Sequence, residues 1–495
     1  MNDRVAYGAL AARVRHRPSP GRGWALFALL VVAALPRLWR FESVGEGVDE
    51  AYSVTATRAM LDGRFSYRNL DDFAVDAYQA KFCPVAELVA APFVVVLGDR
   101  PLAFRLPSLV ASLLLGALLI RFAARRFGTT AALVTAGLWA LDYRGVLYAQ
   151  THRYVALEQL LAFLAFLAVE RADRTRRIGA AVIVFVVGLL LFHTHLLAVL
   201  TLGALALGSL SSGLRRRAGA LRIPVSLAPH AVLLVHAALV LALFQVVGFT
   251  RFFEGGGAAD ALTRTFFGTA RMLAGQGLVA APFGILGAIR LMRGGRADRS
   301  LALCALVPLL AFALVSSRLP LAPRYVLTAQ PFLFLAAGAF AAQGLSVVKA
   351  GRFASFHRPG FVVAAAFVCL AVTVAPTLWY LKGSGGRDLE APIVEALRAH
   401  ARAGERVLYD DALFDPFARR PAEFPAVTRS IASDLDGERR LDALGVRFVV
   451  RSSAVPDRAL YTPSVRARLE RIASSRADLV LQEPIVFTLY RVRAR

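Results

Sequence analysis

Two adjacent carboxylates near the start of the chain, Asp49 and Glu50, have the clearest capacity for acid–base chemistry. They lie at the start of a predicted helix, shortly after the first long apolar run. A carboxylate in this position can act as a general base toward an acceptor hydroxyl. Acidic residues at a helix N-terminus also cap the helix and complement its dipole. The spacing alone therefore leaves both interpretations open.

Cationic side chains in the polar segments suit a phosphate partner. Lys81 is one of only three lysines in the chain and precedes the apolar stretch Pro84–Leu97. Its ammonium could hold a lipid phosphate, or could simply lie at the headgroup level of a membrane. Arginine at the mouth of an outer helix opposes the usual charge bias of membrane proteins, which favours a phosphate partner there. The residues at two such helix mouths are Arg153, Tyr154, Arg324 and Tyr325.

A third group of polar residues lies close to apolar runs. Glu158 is about one turn into a predicted membrane helix, where an acid is costly unless it faces a cavity, so we expect it to line a site. His193 and His195 flank a very short turn, and a metal is the less expected of their uses because residues two apart do not share a helix face. The three cysteines show neither metal-ligand nor disulfide spacing, and we expect no metal and no cofactor.

The elements that must position these residues are membrane helices. Of 495 residues, 57% are hydrophobic and 19% are charged, and the mean hydropathy is +0.56, which is unlike a soluble domain of this length. Runs of about 17–25 apolar residues can cross a bilayer. The predicted fold class is therefore an all-α membrane bundle of about eleven transmembrane helices, near 23–41, 104–121, 129–149, 155–169, 178–192, 194–213, 226–248, 273–291, 300–316, 325–346 and 360–381.

The arginine clusters predict the topology of this bundle. The net charge of +24 comes from clusters between apolar runs, which fits cytoplasmic loops facing anionic lipid better than it fits nucleic acid. With the N-terminus in the cytoplasm, every dense cluster falls on the cytoplasmic side, provided that Pro84–Leu97 is interfacial or re-entrant. The candidate site residues then all lie on the outer face of a bacterial cytoplasmic membrane.

The chain is expected to have three parts: a cytoplasmic tail at 1–22, a transmembrane catalytic domain at 23–382 with a first outer loop at 42–103, and an extracytoplasmic α/β domain at 383–495. In the last part, the pattern predicts a helix over Pro392–Ala403 and a second helix around Val465–Ser474. It predicts strands over Arg406–Tyr409, Gly445–Arg451 and Pro484–Arg491.

The sequence resembles the GT-C glycosyltransferases, in particular the family 39-like bacterial relatives of protein O-mannosyltransferases and of the lipid A aminoarabinose transferase. The similarity covers most of the membrane part. It departs from the family at Lys81-Phe82-Cys83-Pro84, where Lys-Pro-Pro-Leu is usual, and at Glu158, where Asp is common. The segments that carry it are Asp49-Glu50 with Tyr52, Ala59–Gly63, Lys81 to Pro84, Arg105–Ser108, Ala149 to Glu158, and Arg324-Tyr325 to Pro331.

This resemblance implies a glycosyltransferase that takes a sugar from a polyprenyl-phosphate carrier and passes it to a lipid, glycan or protein acceptor. It implies that Asp49 is the catalytic carboxylate residue and that Lys81 and Arg324 contact the carrier phosphate. A transporter or flippase of a lipid-linked saccharide is the alternative, although no inverted repeat is evident. A catalytically inactive scaffold that presents the C-terminal domain to cell-wall polymers is a third possibility.

Overall fold

The structure, a computed structural model, describes residues 20–39, 41, 48–63, 83–175, 177–213, 269–270, 273, 276–316, 323–349, 369, 371–378, 391–409, 426–428, 441–442, 445–452, 463–477 and 485–493. Two predicted elements, the spans near 226–248 and most of 360–381, lie outside the described residues. By its internal packing the chain divides into two units. The first comprises 1–39, 108–149 and 154–378, and the second comprises 40–107, 150–153 and 379–495.

The described membrane part is helical. Its α-helices are α1 (Pro20–Leu38), α2 (Val48–Leu61), α3 (Val85–Leu97), α4 (Pro101–Arg126), α5 (Thr129–Leu141), α6 (Tyr143–Ala149), α7 (Tyr154–Thr175), α8 (Ile178–Phe192), α9 (Val199–Gly213), α10 (Ala280–Leu291), α11 (Arg296–Ser316) and α12 (Gln330–Lys349). Two 3₁₀ segments, Leu196–Ala198 and Pro323–Ala329, precede α9 and α12.

Three of the described helices contain a stretch long and apolar enough to cross a membrane. Helix α4 has 26 residues, about 39 Å at 1.5 Å per residue. The apolar α3 has 13 residues, about 20 Å, which is shorter than a hydrocarbon core. The count of eleven spans stays a prediction. The three stretches are Pro101–Arg126, Arg296–Leu314 and Tyr325–Leu345.

Small residues bring the helices of the first unit close together. A Cβ at Gly338 of α12 would lie 2.6 Å from the Thr135 hydroxyl of α5, and one at Gly284 of α10 would lie 2.9 Å from Leu333 of α12. Close backbone approach at small residues is typical of helix packing in membranes, where the hydrophobic effect does not drive association. Helices α5, α10 and α12 therefore form one tightly packed group.

The prediction of one helix over 129–149 is wrong, because the chain breaks at Asp142. Asp142 has extended dihedral angles (φ −78°, ψ 107°) and ends α5. Its Oδ2 accepts a hydrogen bond of 2.5 Å from the backbone N–H of Gly145. Asp142 is therefore the N-cap of α6, since its carboxylate offers the backbone an alternative to a continuous helix.

The second unit contains a small C-terminal sheet with strand order β2-β1-β3-β5-β4. The strands are β1 (Arg406–Tyr409), β2 (Ala426–Thr428), β3 (Val446–Ser452), β4 (Leu469–Ala477) and β5 (Ile485–Val492). Strands β2, β1 and β3 are parallel, whereas β5 runs antiparallel to both β3 and β4. The predicted strands over β1, β3 and β5 are present, and the extent of the α/β domain stays a prediction.

Alternating side chains give this sheet two apolar faces. Helix α13 (Ala391–His400) packs Ile393 and Leu397 against Val407 and Phe448 on one face. Val449 lies in a second cluster, because successive residues of a strand point to opposite faces. The predicted helix around Val465–Ser474 is wrong beyond the short α14 (Pro463–Ala467). Strand β4 begins at Leu469 because pairing with β5 along its length outweighs local helix preference.

Candidate functional site

In the second unit, Glu50 is part of a buried and hydrogen-bonded ion pair. Its Oε1 and Oε2 accept hydrogen bonds from Arg105 Nε and Nη2 at 2.8 and 3.0 Å, and both side chains are 1% exposed. Oε1 also accepts the backbone N–H of His152 at 2.7 Å. Arg105 Nη1 donates to the carbonyl of Phe41 at 3.3 Å. The Glu50 carboxylate is thus held by three donors.

The segment Gln150–Arg153 packs against α2 through further polar contacts. The His152 Nε2 atom and the Thr57 hydroxyl are 2.9 Å apart, and Thr57 donates to the carbonyl of Ser53 one turn earlier. Arg153 Nη1 lies 3.5 Å from the Ser53 hydroxyl. The α2 helix, Arg105 and this segment therefore form one buried polar cluster. The sequence analysis named Glu50 and Arg153 as site residues, but it assigned no role to Arg105, the partner of Glu50.

In the first unit, Glu158 has a different environment. It lies on α7 and is fully buried, as the prediction of a site-lining acid requires. Its Oε1 is 3.1 Å from His195 Nδ1. Its Oε2 has no hydrogen-bond partner among the described residues. Because buried polar atoms are nearly always paired, this open carboxylate oxygen points to a partner outside the described residues.

Two aromatic rings hold the His195 side chain. Its ring stacks on Tyr154 with centroids 4.2 Å apart and on Tyr325 with centroids 5.7 Å apart, both at an interplanar angle of 9°. Tyr154 begins α7, and Tyr325 belongs to the 3₁₀ segment Pro323–Ala329. The predicted residues Tyr154, Glu158 and Tyr325 thus all contact His195, a histidine to which the sequence analysis assigned no firm role.

A second series of buried polar groups lies in the first unit. Gln159 Nε2 donates to the carbonyl of Leu327 at 2.9 Å and to Gln330 Oε1 at 3.0 Å. The Gln330 amide faces the Asp142 carboxylate, which also interacts with the charge of Arg37. Membrane helices carry such buried polar groups only at a free-energy cost.

Arg37 of α1 is the last member of this series of polar groups. Its Nε donates to the Ser112 hydroxyl at 2.9 Å and its Nη2 to the carbonyl of Trp139 at 2.6 Å. The guanidinium also lies 3.8 Å from the centroid of the Trp139 ring, a cation–π contact. Nothing in the sequence pattern singled out Arg37, because it resembles any arginine at the end of an apolar run.

Three predicted site residues lack described side chains. Asp49 is in the first turn of α2 and Arg324 is in the 3₁₀ segment, but their side chains are outside the described part of the structure. Lys81 lies outside the described residues altogether. Among the described residues, no group of three or more His, Cys, Asp or Glu side chains could hold a metal ion.

The fold is shared with the GT-C glycosyltransferases, which confirms the resemblance in fold that the sequence predicted. Solved structures carry this result, because no protein-family model and no curated protein sequence matches the chain.

The neighbours include two enzymes of that class. ArnT from Cupriavidus metallidurans in the apo state has 16% sequence identity and a TM-score of 0.56, with 95% of this chain and 98% of that chain covered. The same enzyme bound to undecaprenyl phosphate gives 15% identity and a TM-score of 0.54 over the same shares of both chains. The oligosaccharyltransferase AglB from Archaeoglobus fulgidus, in complex with an inhibitory peptide and a dolichol-phosphate, has 13% identity and a TM-score of 0.53, covering 87% of this chain and 70% of that chain.

Proposed function

We propose that this protein is an integral-membrane glycosyltransferase that moves a sugar from a polyprenyl-phosphate donor to an acceptor on the outer face of the cytoplasmic membrane. The observation that carries the proposal is the fold, which matches ArnT over almost the whole length of both chains. ArnT binds undecaprenyl phosphate and AglB binds a dolichol-phosphate in solved structures. Both ligands are polyprenyl phosphates, and this supports the same class of donor for the present chain.

The proposed reaction inverts the configuration at the anomeric carbon. Asp49 takes the proton of the acceptor hydroxyl as that oxygen attacks the anomeric carbon. The bond between this carbon and the phosphate oxygen breaks, and the lipid phosphate leaves with the bonding electron pair. Glu50 is the less suitable base, since its carboxylate already accepts three hydrogen bonds, two of them from Arg105. Its role in the proposal is to hold Arg105, and through Arg105 the start of α2.

The cationic residues Lys81, Arg153 and Arg324 are proposed to stabilise the charge on the departing phosphate. Each is a side chain that can donate charge-assisted hydrogen bonds to phosphate oxygens. This arrangement supplies positive charge from the protein itself, so the proposal needs no metal ion.

The remaining candidates are assigned to the substrate. The open Oε2 of Glu158 suits a hydroxyl group of the sugar, which would donate a hydrogen bond to it. His195 holds the other carboxylate oxygen, and Tyr154 and Tyr325 hold His195. The tyrosines therefore set the direction in which the free carboxylate oxygen points.

The experiment is sugar transfer by the purified full-length protein. Undecaprenyl phosphate carrying a radiolabelled hexose or pentose is the donor, and an envelope fraction freed of donor lipid is the acceptor. We expect donor-dependent labelling of the acceptor by the wild type. Asp49→Asn should lower this transfer by about 10²–10⁴-fold with unchanged yield of folded protein, because asparagine can still cap a helix but cannot act as a base.

The matched control is Asp62→Asn, which removes an exposed carboxylate just after the same helix and should leave transfer unchanged. Equal activity of the wild type and Asp49→Asn would contradict the assignment of the base. A wild type that transfers no label, yet moves the labelled lipid between the leaflets of a vesicle, would favour the flippase instead.

A further inference from the structure

A cavity of about 590 Å³ lies where the C-terminal ends of α4 and α7 meet, within the first unit. Both helices end here in arginine-rich turns. Apolar side chains form one part of the wall and charged side chains the other. The lining residues are Leu118, Phe122 and Leu167, then Arg121, Arg125, Arg126, Arg171 and Arg174, together with Glu170 and Thr175.

The positive charge in this cavity exceeds what the carboxylates of the described residues neutralise. Arg126 Nη2 is paired with Asp298 at 2.8 Å, and Arg174 is paired with Glu170 one turn earlier on α7. The side chains of the other three arginines are exposed and have no hydrogen bond or ion pair in the described part of the chain: Arg121, Arg125 and Arg171. Three guanidinium groups thus line one space, and no anion among the described residues balances them.

Helix dipoles do not remove this imbalance. Arginine in the last turn of a helix complements the partial negative charge of about half an elementary charge at each C-terminus. Two helix ends therefore offset about one positive charge, whereas three unpaired arginines carry three. The remainder makes the cavity attractive to an anion that can accept several charge-assisted hydrogen bonds, such as phosphate.

We propose that this cavity binds the phosphate headgroup of an anionic phospholipid. The helices that end here belong to the membrane part, and α4 contains one of the described stretches able to cross a bilayer. The charged residues suit the phosphate, and Leu118, Phe122 and Leu167 suit the first carbons of an acyl chain. Basic cavities at the cytoplasmic ends of membrane helices are known to take such headgroups. The arginine clusters place these ends in cytoplasmic loops, so the lipid belongs to the inner leaflet, apart from the proposed donor.

The first measurement uses the wild type alone. The detergent-solubilised full-length protein is titrated with phosphatidylglycerol, with phosphatidylcholine of the same acyl chains, and with inorganic phosphate, and bound molecules are counted by native mass spectrometry. We expect one tightly bound phosphatidylglycerol, weaker binding of phosphatidylcholine, and no displacement of phosphatidylglycerol by equimolar inorganic phosphate. Equal binding of both lipids would overturn the proposal, and full displacement by inorganic phosphate would assign the cavity to a free anion instead.

The second measurement compares variants of equal charge. Arg121→Gln/Arg171→Gln removes one unpaired arginine from each helix, and we expect phosphatidylglycerol to bind about 10- to 30-fold more weakly. Arg177→Gln/Arg293→Gln removes two exposed arginines that do not line the cavity, and binding should change by less than about twofold. Equal losses in the two variants would mean that overall charge, and not the cavity, attracts the lipid.

Arg121→Lys/Arg171→Lys guards against misfolding of the glutamine variant, because it keeps both charges. We expect it to bind phosphatidylglycerol far better than the glutamine variant does. Loss of binding in the lysine variant, with the protein still monodisperse, would contradict a site that works through positive charge. None of these readouts depends on sugar transfer, so the lipid site and the proposed function can fail separately.

Discussion

Glu50 and Glu158 are both buried glutamates in a membrane protein, yet the protein surrounds them differently. Glu50, in the second unit, accepts three hydrogen bonds, two of them from the guanidinium of Arg105. Glu158, in the first unit, has one contact at 3.1 Å with a histidine and one oxygen without a partner among the described residues. Burial alone therefore does not identify a functional acid.

The number of hydrogen bonds that a buried carboxylate already accepts is the better guide to whether it can bind a substrate. A saturated buried ion pair is costly to break but offers nothing to a substrate. A buried carboxylate with an open oxygen can accept a charge-assisted hydrogen bond from a ligand hydroxyl. We accordingly infer that Glu50 mainly supports the structure and that Glu158 mainly binds substrate, and the two should respond differently to the same Glu→Gln change.

The largest effect is expected at the ion pair. Glu50→Gln leaves the buried Arg105 without a counter-charge, which should destabilise the protein by about 3–5 kcal/mol. We expect a much lower yield of monodisperse protein and a markedly lower apparent melting temperature in detergent. Asp99→Asn is the matched control, because it breaks the Arg58–Asp99 ion pair, whose carboxylate is 51% exposed. Loss of that exposed pair should lower the free energy of unfolding by less than about 1 kcal/mol.

The double variant Glu50→Met/Arg105→Met completes this test. Removing both partners leaves no unpaired buried charge, so it should be more stable than Glu50→Gln although it is the larger change. If Glu50→Gln instead melts like the wild type and loses only sugar transfer, then Glu50 is a chemical group and the comparison of the two glutamates is wrong.

A smaller effect, on activity alone, is expected at Glu158. Glu158→Gln keeps the size of the side chain but removes the anion, and a hydrogen bond to a charged group contributes about 1.5–3 kcal/mol. We expect kcat/KM for sugar transfer to fall by about 10- to 100-fold with an unchanged melting temperature. Asp173→Asn, on the same helix, removes a carboxylate paired with Arg296 and should leave kcat/KM unchanged. A fall in melting temperature comparable to that of Glu50→Gln would give Glu158 a structural role as well.

The fold was largely accessible from sequence where a physical pattern is repeated. Apolar length predicted the described membrane helices, and alternation predicted the strands β1, β3 and β5. The two failures have different causes. At Asp142, one side chain competes for the backbone N–H of Gly145 and breaks a continuous apolar run. At Leu469, pairing with β5 determines the conformation, and such a partner distant in sequence cannot be seen in a local pattern.

The site was accessible only in part, for a related reason. An acid inside an apolar run identified Glu158, because the cost of burying it is independent of its neighbours. The partners of the buried acids could not be identified from sequence. His195 is 37 residues from Glu158, and Arg105 is 55 residues from Glu50. Which of two adjacent carboxylates is free depends on such distant partners. The sequence therefore pointed to Asp49 and Glu50 together, and the contacts of Glu50 with Arg105 and His152 came only from the structure.

The smallest effect is expected at the outer ring of the aromatic stack. The ring centroid of Tyr325 lies 5.7 Å from that of His195, whereas the centroid of Tyr154 lies 4.2 Å from it. Tyr325 should therefore contribute less to holding the imidazole. Such ring pairs contribute about 0.5–1.5 kcal/mol beyond their buried area. Tyr325→Leu should therefore lower kcat/KM by only about 2- to 10-fold, by letting His195 and with it the Glu158 carboxylate change direction. Tyr325→Phe keeps the ring and should retain almost all activity. If Tyr325→Phe loses as much as Tyr325→Leu, the hydroxyl itself contacts the substrate, and Glu158 is then oriented by Tyr154 and His195 without help from Tyr325.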